Sequence, residues 1–169
     1  MLDLEKKVRL ILSERVDTTL NASITELFPA IAFNLKFRPR SVEDFKKFLY
    51  TLKFNRAKKS WDSKDEESAK LVISKLPSME ERFLKTKMEN AIGVTNYLYQ
   101  LDATKPISKV VWGYRAKPKG VDPSNPGDIF LKYQNGGMLG VSLKAGTSAS
   151  KEPILNTYVK PLFDYYGKP

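Results

Sequence analysis

The chain of 169 residues contains neither cysteine nor histidine. Without cysteine it can form no disulfide, no thiolate zinc site and no cysteine nucleophile. Without histidine it can form no Ser-His-Asp triad and has no imidazole to act as a general base or metal ligand. Any catalysis by this chain would therefore depend on carboxylates, lysine, tyrosine, serine or a bound metal ion.

Long apolar runs are also absent. A membrane-spanning helix needs about 18 or more consecutive apolar residues, and the sequence contains no such run. The first residues lack the features of a signal peptide and predict the first turn of an amphipathic helix. A composition of 41% apolar and 11% aromatic residues is typical of a globular protein. Together with the lack of cysteine, these features lead us to expect a cytoplasmic protein with no membrane partner.

Positive charge is abundant, with a net charge of +10, and it is concentrated in two blocks. Residues 36–59 contain nine basic and two acidic side chains, and residues 105–169 contain ten and four. A basic field of this kind favours a polyanionic partner, of which nucleic acid is the first candidate. The alternatives are a solvated basic surface and an anionic membrane surface. The side chains expected to contact phosphates are Arg38, Arg40, Lys46, Lys47, Lys53, Arg56, Lys58, Lys59 and, in a later loop, Lys119.

The first half of the chain has the apolar spacing of helices. A division after residue 76 separates a helical, basic region, 1–76, from a second unit, 77–169. Capping signals predict where several of the helices begin. Five helices are predicted before the strands. One covers residues 3–16, one begins near Ser23 with Glu26 as a capping partner, and one begins at Ser41. The fourth runs from Ser63 to about Leu76, and the fifth from Ser78 to about Leu101.

The second unit changes from a helical period to the alternation typical of strands. Strands are predicted at Lys109–Tyr114, Asp128–Tyr133 and Met138–Lys144. The Asn135-Gly136 pair predicts a tight hairpin turn between the last two strands. A final helix is predicted from Lys151 to about Tyr166. The order is therefore helix, strand, strand, strand, helix, and the fold class is α+β.

Two charged residues stand out in this order. Asp128 opens the second strand and Lys144 ends the third. A carboxylate and an ammonium on adjacent strands form a working geometry for a metal-dependent phosphodiesterase. The aspartate would bind a hard divalent cation, and the lysine would hold or activate the attacking water beside the phosphate.

The segments Asn125-Pro126-Gly127-Asp128 and Ser142-Leu143-Lys144, in this order of elements, resemble the PD-(D/E)XK nuclease superfamily over roughly residues 78–169. The resemblance implies a restriction-endonuclease-like three-layer core around a mixed sheet, and metal-dependent cleavage of phosphodiesters, usually in DNA. It implies that Asp128 ligates magnesium or manganese and that Lys144 contacts the attacking water or the scissile phosphate. A homodimer is one assembly that it implies, although the sequence identifies no interface.

The chain departs from the family pattern at Ser142, where a second carboxylate is usual. Glu152 at the start of the predicted final helix is one replacement, and Glu81 or Glu89 on the long helix is another. The resemblance thus implies metal ligands among Asp128, Glu89 and Glu152, with Glu81 and Ser142 as further catalytic candidates. The predicted order of elements also lacks the strand that follows the final helix in the family.

These residues lead to a magnesium-dependent endodeoxyribonuclease as the expected function. The alternative is a non-catalytic DNA- or RNA-binding protein derived from a nuclease fold, and Ser142 favours it. A third possibility is a structural protein that holds a polyanion during assembly. DNA is the expected partner in preference to RNA.

Overall fold

The computed structural model of the chain describes residues 23–114, 116–144 and 154–157. This part of the protein is α+β, which confirms the predicted fold class at that level. The predicted helix over 3–16 lies outside the described residues. The helices are 23–34 (α1), Val42–Tyr50 (α2), Phe54–Ala57 (α3), Glu66–Lys75 (α4) and Glu81–Thr104 (α5), with short 3-10 turns at Lys58–Ser60, Ser63–Asp65 and Leu76–Ser78. The strands are Ile107–Trp112 (β1), Ile129–Tyr133 (β2), Met138–Lys144 (β3) and Ile154–Thr157 (β4).

The four strands form one antiparallel sheet in the order β1-β2-β3-β4. The three strands predicted from sequence are present, although β1 begins and ends two residues earlier than predicted. The hairpin between β2 and β3 is also confirmed. Gly136 has a φ angle of 89°, which glycine adopts without steric cost, and the Asn135 side chain accepts a hydrogen bond from the Gly137 N–H at 3.0 Å.

The predicted helix Lys151–Tyr166 is wrong over residues 154–157, and the rest of it lies outside the described residues. Ile154–Thr157 is instead strand β4, which pairs antiparallel with β3. Backbone pairing with β3 therefore decides the structure of this segment against its helical apolar spacing.

Helix starts agree with the capping signals in one case and differ in another. The Ser41 side chain caps α2 by accepting a hydrogen bond from the Asp44 N–H at 3.1 Å. The capping box predicted at Ser78 is wrong, because the Ser78 hydroxyl donates to the Lys75 carbonyl at 2.8 Å and α5 begins only at Glu81. Glu81 is thus the first residue of α5 and is not the capping partner of Ser78.

The helices pack against one face of the sheet. Alternate strand residues such as Val110 and Trp112 on β1 join a single apolar cluster with the buried faces of the helices. Residues on both sides of position 76 contribute to this cluster, and the division into two domains there stays a prediction. Phe130 is fully buried outside that cluster, on the other face of the sheet. There it lies against Gly113, Gly127 and Gly140.

The outer edge of β1 is covered by side chains and by a neighbouring segment. The buried Asn34 amide donates to the Val110 carbonyl at 2.7 Å and accepts from the Val110 N–H at 2.9 Å. It also donates to the Ser60 hydroxyl at 3.0 Å. Trp61 forms a parallel bridge with Trp112 further along the same edge. Asn34 therefore takes the place of a strand partner for Val110, whose backbone N–H and carbonyl both point away from β2.

Glu26 reaches the same strand from α1. Its carboxylate accepts a hydrogen bond from the Trp112 indole N–H at 2.9 Å. This contact joins α1 to the sheet and gives the buried indole the acceptor it needs. Glu26, predicted only as a capping residue, thus also has a role in tertiary packing.

Candidate functional site

Asp128 stands immediately before β2 and is held there by its backbone. Its N–H donates to the Val141 carbonyl at 2.9 Å, and its carbonyl accepts from the Gly113 N–H at 2.8 Å. These bonds extend the β1–β2–β3 pairing by one residue. They place the half-buried Asp128 side chain at the end of the sheet where the long β1–β2 connection returns.

The Asp128 carboxylate is itself a link between two strands. Its Oδ2 atom accepts hydrogen bonds from the Ser142 hydroxyl at 3.2 Å and from the Leu143 N–H at 2.6 Å. The structure therefore brings together two of the residues predicted for the catalytic site. Ser142 is fully buried, so a carboxylate at this position would be buried against Asp128. The serine is a hydrogen-bond donor that fits the existing acid.

Lys144 and Glu152 are the other candidates from this end of the chain. Lys144 is the last residue of β3, two positions beyond Ser142, and it pairs with Ile154 of β4 in the sheet register. Its place in β3 is therefore two residues beyond Ser142, which contacts Asp128. Glu152 lies outside the described residues.

Glu81 and Glu89 lie on α5, and both are exposed. The Glu81 carboxylate lies 3.7 Å from the Lys46 ammonium of α2, and its side chain is 86% exposed. Within residues 23–114, 116–144 and 154–157, no three carboxylates come together in a group that could hold a metal ion. The structure therefore does not join Asp128 with both Glu81 and Glu89.

The basic segment 36–59 presents most of its charges to solvent. The rings of Phe37, Phe45 and Phe48 pack on one another, with the centroids of Phe37 and Phe48 4.0 Å apart, whereas Tyr50 is exposed. Arg38 lies over the Tyr99 ring, with 4.1 Å between the guanidinium carbon and the ring centroid. Of the residues predicted to contact nucleic acid, those exposed are Arg38, Arg40, Lys47, Lys53, Arg56, Lys58, Lys59 and Lys119.

Lys46 differs from the other predicted contacts because its side chain is only 11% exposed. Its ammonium lies 3.3 Å from Glu43 and 3.7 Å from Glu81. The ion pair with Glu81 joins α2 to the first turn of α5. Lys46 is thus held by two carboxylates, which makes it the least available of the predicted phosphate contacts.

Two further basic residues were not among the predicted contacts. Lys109 of β1 pairs directly with Lys132 of β2 in the sheet register, and both are half-buried. Burial, with Lys132 and Lys59 as further causes, lowers the pKa of the Lys109 ammonium, while Asp62 acts in the opposite direction. This pairing could not be predicted from the sequence. A connection of 16 residues separates β1 from β2, and no short turn defines the register of the two strands.

No protein-family model, curated protein or solved structure matches this chain. No helix in the described ranges is both long enough and apolar enough to cross a bilayer.

Asp128→Ala is expected to lower the free energy of unfolding by about 2 kcal/mol, because the Leu143 N–H and the Ser142 hydroxyl both lose a charged acceptor. Asp128→Asn keeps one acceptor oxygen and should lose less than about half of that amount. Urea unfolding followed by fluorescence of the buried Trp61 and Trp112 measures both values. The control is Glu89→Ala at an exposed position, with an expected change within about 0.5 kcal/mol. Equal stability of Asp128→Ala and the control would show that the carboxylate does not hold β2 to β3.

Proposed function

We propose that the protein binds nucleic acid through the basic surface of residues 36–59. One observation carries the proposal. Among the described residues, seven exposed basic side chains of this segment make no ion pair with a carboxylate: Lys36, Arg38, Arg40, Lys47, Lys53, Arg56 and Lys59. Their charges are free to replace the counterions around a phosphate backbone, and the release of those counterions drives association.

The packing of this segment favours binding to the phosphate backbone over recognition of the bases. The rings of Phe37, Phe45 and Phe48 pack on one another, so they are committed to the interior and do not form a platform for bases. The side chains that remain exposed are mainly the cations, with the ring of Tyr50 among them, and cations contact phosphates without reading sequence. The proposed binding is therefore to the backbone, with DNA as the first ligand to test and RNA as the second.

A metal-dependent nuclease with a restriction-endonuclease-like core is the second candidate. The contact between Asp128 and Ser142, with Lys144 two residues further along β3, favours it. However, magnesium binds six oxygen ligands, usually including more than one carboxylate or phosphate, and no group of three or more such acids comes together among the described residues. These residues do not by themselves fit a magnesium site, so the candidate depends on an acid such as Glu152. For this reason nucleic-acid binding is the first candidate function and metal-dependent cleavage the second.

Incubation with supercoiled plasmid separates the two candidates. Wild-type protein, Lys144→Ala and the control Lys85→Ala are each incubated with magnesium, with manganese and with a chelator. The expected result is retarded plasmid migration without nicking, equal for all three proteins and unaffected by the chelator. Nicking that requires both a metal ion and Lys144 would establish the nuclease and make Asp128 its candidate metal ligand.

Salt dependence tests the binding itself. With about six phosphate contacts, the affinity for a DNA duplex should fall about 1,000-fold between 50 and 200 mM salt. Arg38→Gln with Arg40→Gln should weaken binding and reduce the salt slope by about two. The exposed Arg82 of α5, replaced by Gln, is the control and should leave the slope unchanged. Failure of the wild-type protein to bind DNA or RNA at 50 mM salt would contradict the proposed function.

A further inference from the structure

Lysines occupy three neighbouring segments: β1, β2 and the 3-10 turn beside the outer edge of β1. Lys109 and Lys132 are direct partners on β1 and β2. Lys59 belongs to the 3-10 turn Lys58–Ser60, which packs against the outer side of β1 just before the Trp61–Trp112 bridge. Neighbouring strands lie about 4.8 Å apart, which sets the spacing of Lys109 and Lys132. The turn that contains Lys59 packs on β1, and the Lys59 charge is close enough to act on Lys109, so the three lysines form a row across adjacent segments. We call this row the lysine row.

The lysine row is unfavourable for the free protein. Like charges directly opposite each other on paired strands repel. Burial, followed by the charges of Lys132 and Lys59, lowers the pKa of Lys109. The nearby Asp62 acts in the favourable direction. Its carboxylate already caps the turn Ser63–Asp65 by accepting from the Lys64 N–H at 3.0 Å. No ion pair to Lys59, Lys109 or Lys132 occurs among the described residues.

We propose that Lys59, Lys109 and Lys132 form a binding site for the phosphate groups of a nucleic-acid backbone. A phosphate beside these ammonium groups would replace the repulsion that Lys132 and Lys59 exert on Lys109 with attraction, so the arrangement is stabilised when an anion is bound. The inference rests on the proposed function and extends it from the helical segment 36–59 onto the sheet, since Lys59 belongs to both. It thereby predicts one continuous path for the backbone from segment 36–59 across β1 to β2.

The first test compares two double variants that each remove two positive charges. Lys109→Gln with Lys132→Gln changes the lysine row, and Lys85→Gln with Lys87→Gln on α5 is the matched control. Binding of a DNA oligonucleotide is measured by fluorescence anisotropy over a range of salt concentrations. The row variant should bind about 10- to 100-fold more weakly at 0.1 M salt, with the slope of log K against log salt reduced by about two. The control should lose less than about threefold with an unchanged slope.

Thermal unfolding separates a binding role from a structural one. Because the row repels itself, Lys109→Gln with Lys132→Gln should unfold at the wild-type temperature or above it. Lys132→Glu places opposite charges on the paired positions and should raise the unfolding temperature by about 1–4 °C while it abolishes the contribution of the row to binding. A row variant that loses affinity only together with thermal stability would overturn the inference in favour of a packing role.

The outcomes distinguish this inference from the proposed function. If wild-type protein binds DNA and the row variant binds as well as the control, the inference is wrong and the proposed function stands. If wild-type protein binds no nucleic acid, the proposed function is wrong, and sodium tripolyphosphate becomes the probe. Thermal stabilisation by tripolyphosphate that disappears in the row variant would then support a phosphate site at these lysines, and an absence of stabilisation would overturn it.

Discussion

Replacing Asn34 by alanine is expected to lower the free energy of unfolding by about 4 kcal/mol. The reason is that three buried polar groups lose their partner at once: the N–H and the carbonyl of Val110 and the hydroxyl of Ser60. Each unsatisfied buried group costs about 1–3 kcal/mol, and the shorter side chain leaves a small cavity as well. Urea unfolding, monitored by the fluorescence of Trp61 and Trp112, measures the change.

The control for this prediction is Asn96→Ala. Asn96 is exposed on α5, so the same substitution removes no buried bond and should change stability by less than about 0.5 kcal/mol, with a slight gain from helix propensity. Asn34→Asp gives a second measurement. It keeps one acceptor for the Val110 N–H but places a carboxylate oxygen against the Val110 carbonyl, and it should be at least as destabilising as alanine. A loss below about 1 kcal/mol for both variants would show that water replaces the amide at this edge.

The importance of Asn34 could not be read from the sequence. It follows the apolar stripe of α1 near the end of that helix, where a polar residue is ordinary. Its partner Val110 lies 76 positions later along the chain. Only the packing of α1 against the edge of β1 makes the amide essential, and a sequence pattern carries no information on a contact between two elements of different period.

Local sequence patterns predicted correctly those elements whose structure is set by interactions between residues close together in the chain. The turn at Asn135-Gly136 fixed the β2–β3 hairpin, and the alternation of residue types placed β3 at its observed bounds. The prediction of a final helix was wrong over residues 154–157, because a contact with another strand decides the structure there. Residues 154–157 have apolar positions in helical phase, but antiparallel pairing with β3 supplies backbone hydrogen bonds that override this weak preference.

At the candidate site, too, contacts set by a local turn could be predicted from the sequence, whereas contacts between distant elements could not. The nearness of Asp128 and Ser142 followed from the hairpin register, which local turn chemistry sets. The resemblance implies that a carboxylate of α5 joins this site, but the structure does not bring Glu81 and Glu89 together with Asp128 as a metal-holding group of three. The pair Lys109–Lys132 was missed because its register depends on the path of the long β1–β2 connection. Contacts between elements that are joined by a long connection are therefore the ones that only the structure reveals.

Gly113→Ala is expected to lower the free energy of unfolding by about 3 kcal/mol. A Cβ atom at this position would lie 2.4 Å from the Cε2 atom of Phe130, and 2.9 Å from its Cδ2 atom. The ring cannot easily move away, because it is fully buried and lies against Gly127 and Gly140 on its other sides. Overpacking of this kind costs about 1–3 kcal/mol and sometimes more. The variant should also weaken the Gly113 N–H bond to the Asp128 carbonyl, so the Asp128–Ser142 contact is disturbed with it.

A double-mutant cycle makes this prediction specific to the ring. Phe130→Leu shortens the side chain and should destabilise the protein alone, whereas the combination with Gly113→Ala should recover about 1–2 kcal/mol relative to the sum of the two single changes. The control is Gly137→Ala, where the nearest atom to the added Cβ is the end of the Asn135 side chain at 3.2 Å. That side chain can rotate, so the control should cost less than about 1 kcal/mol. Additive effects of Gly113→Ala and Phe130→Leu would mean that the clash is relieved by movement of the 113–128 connection. That connection would then be the adaptable part of the face that carries Asp128.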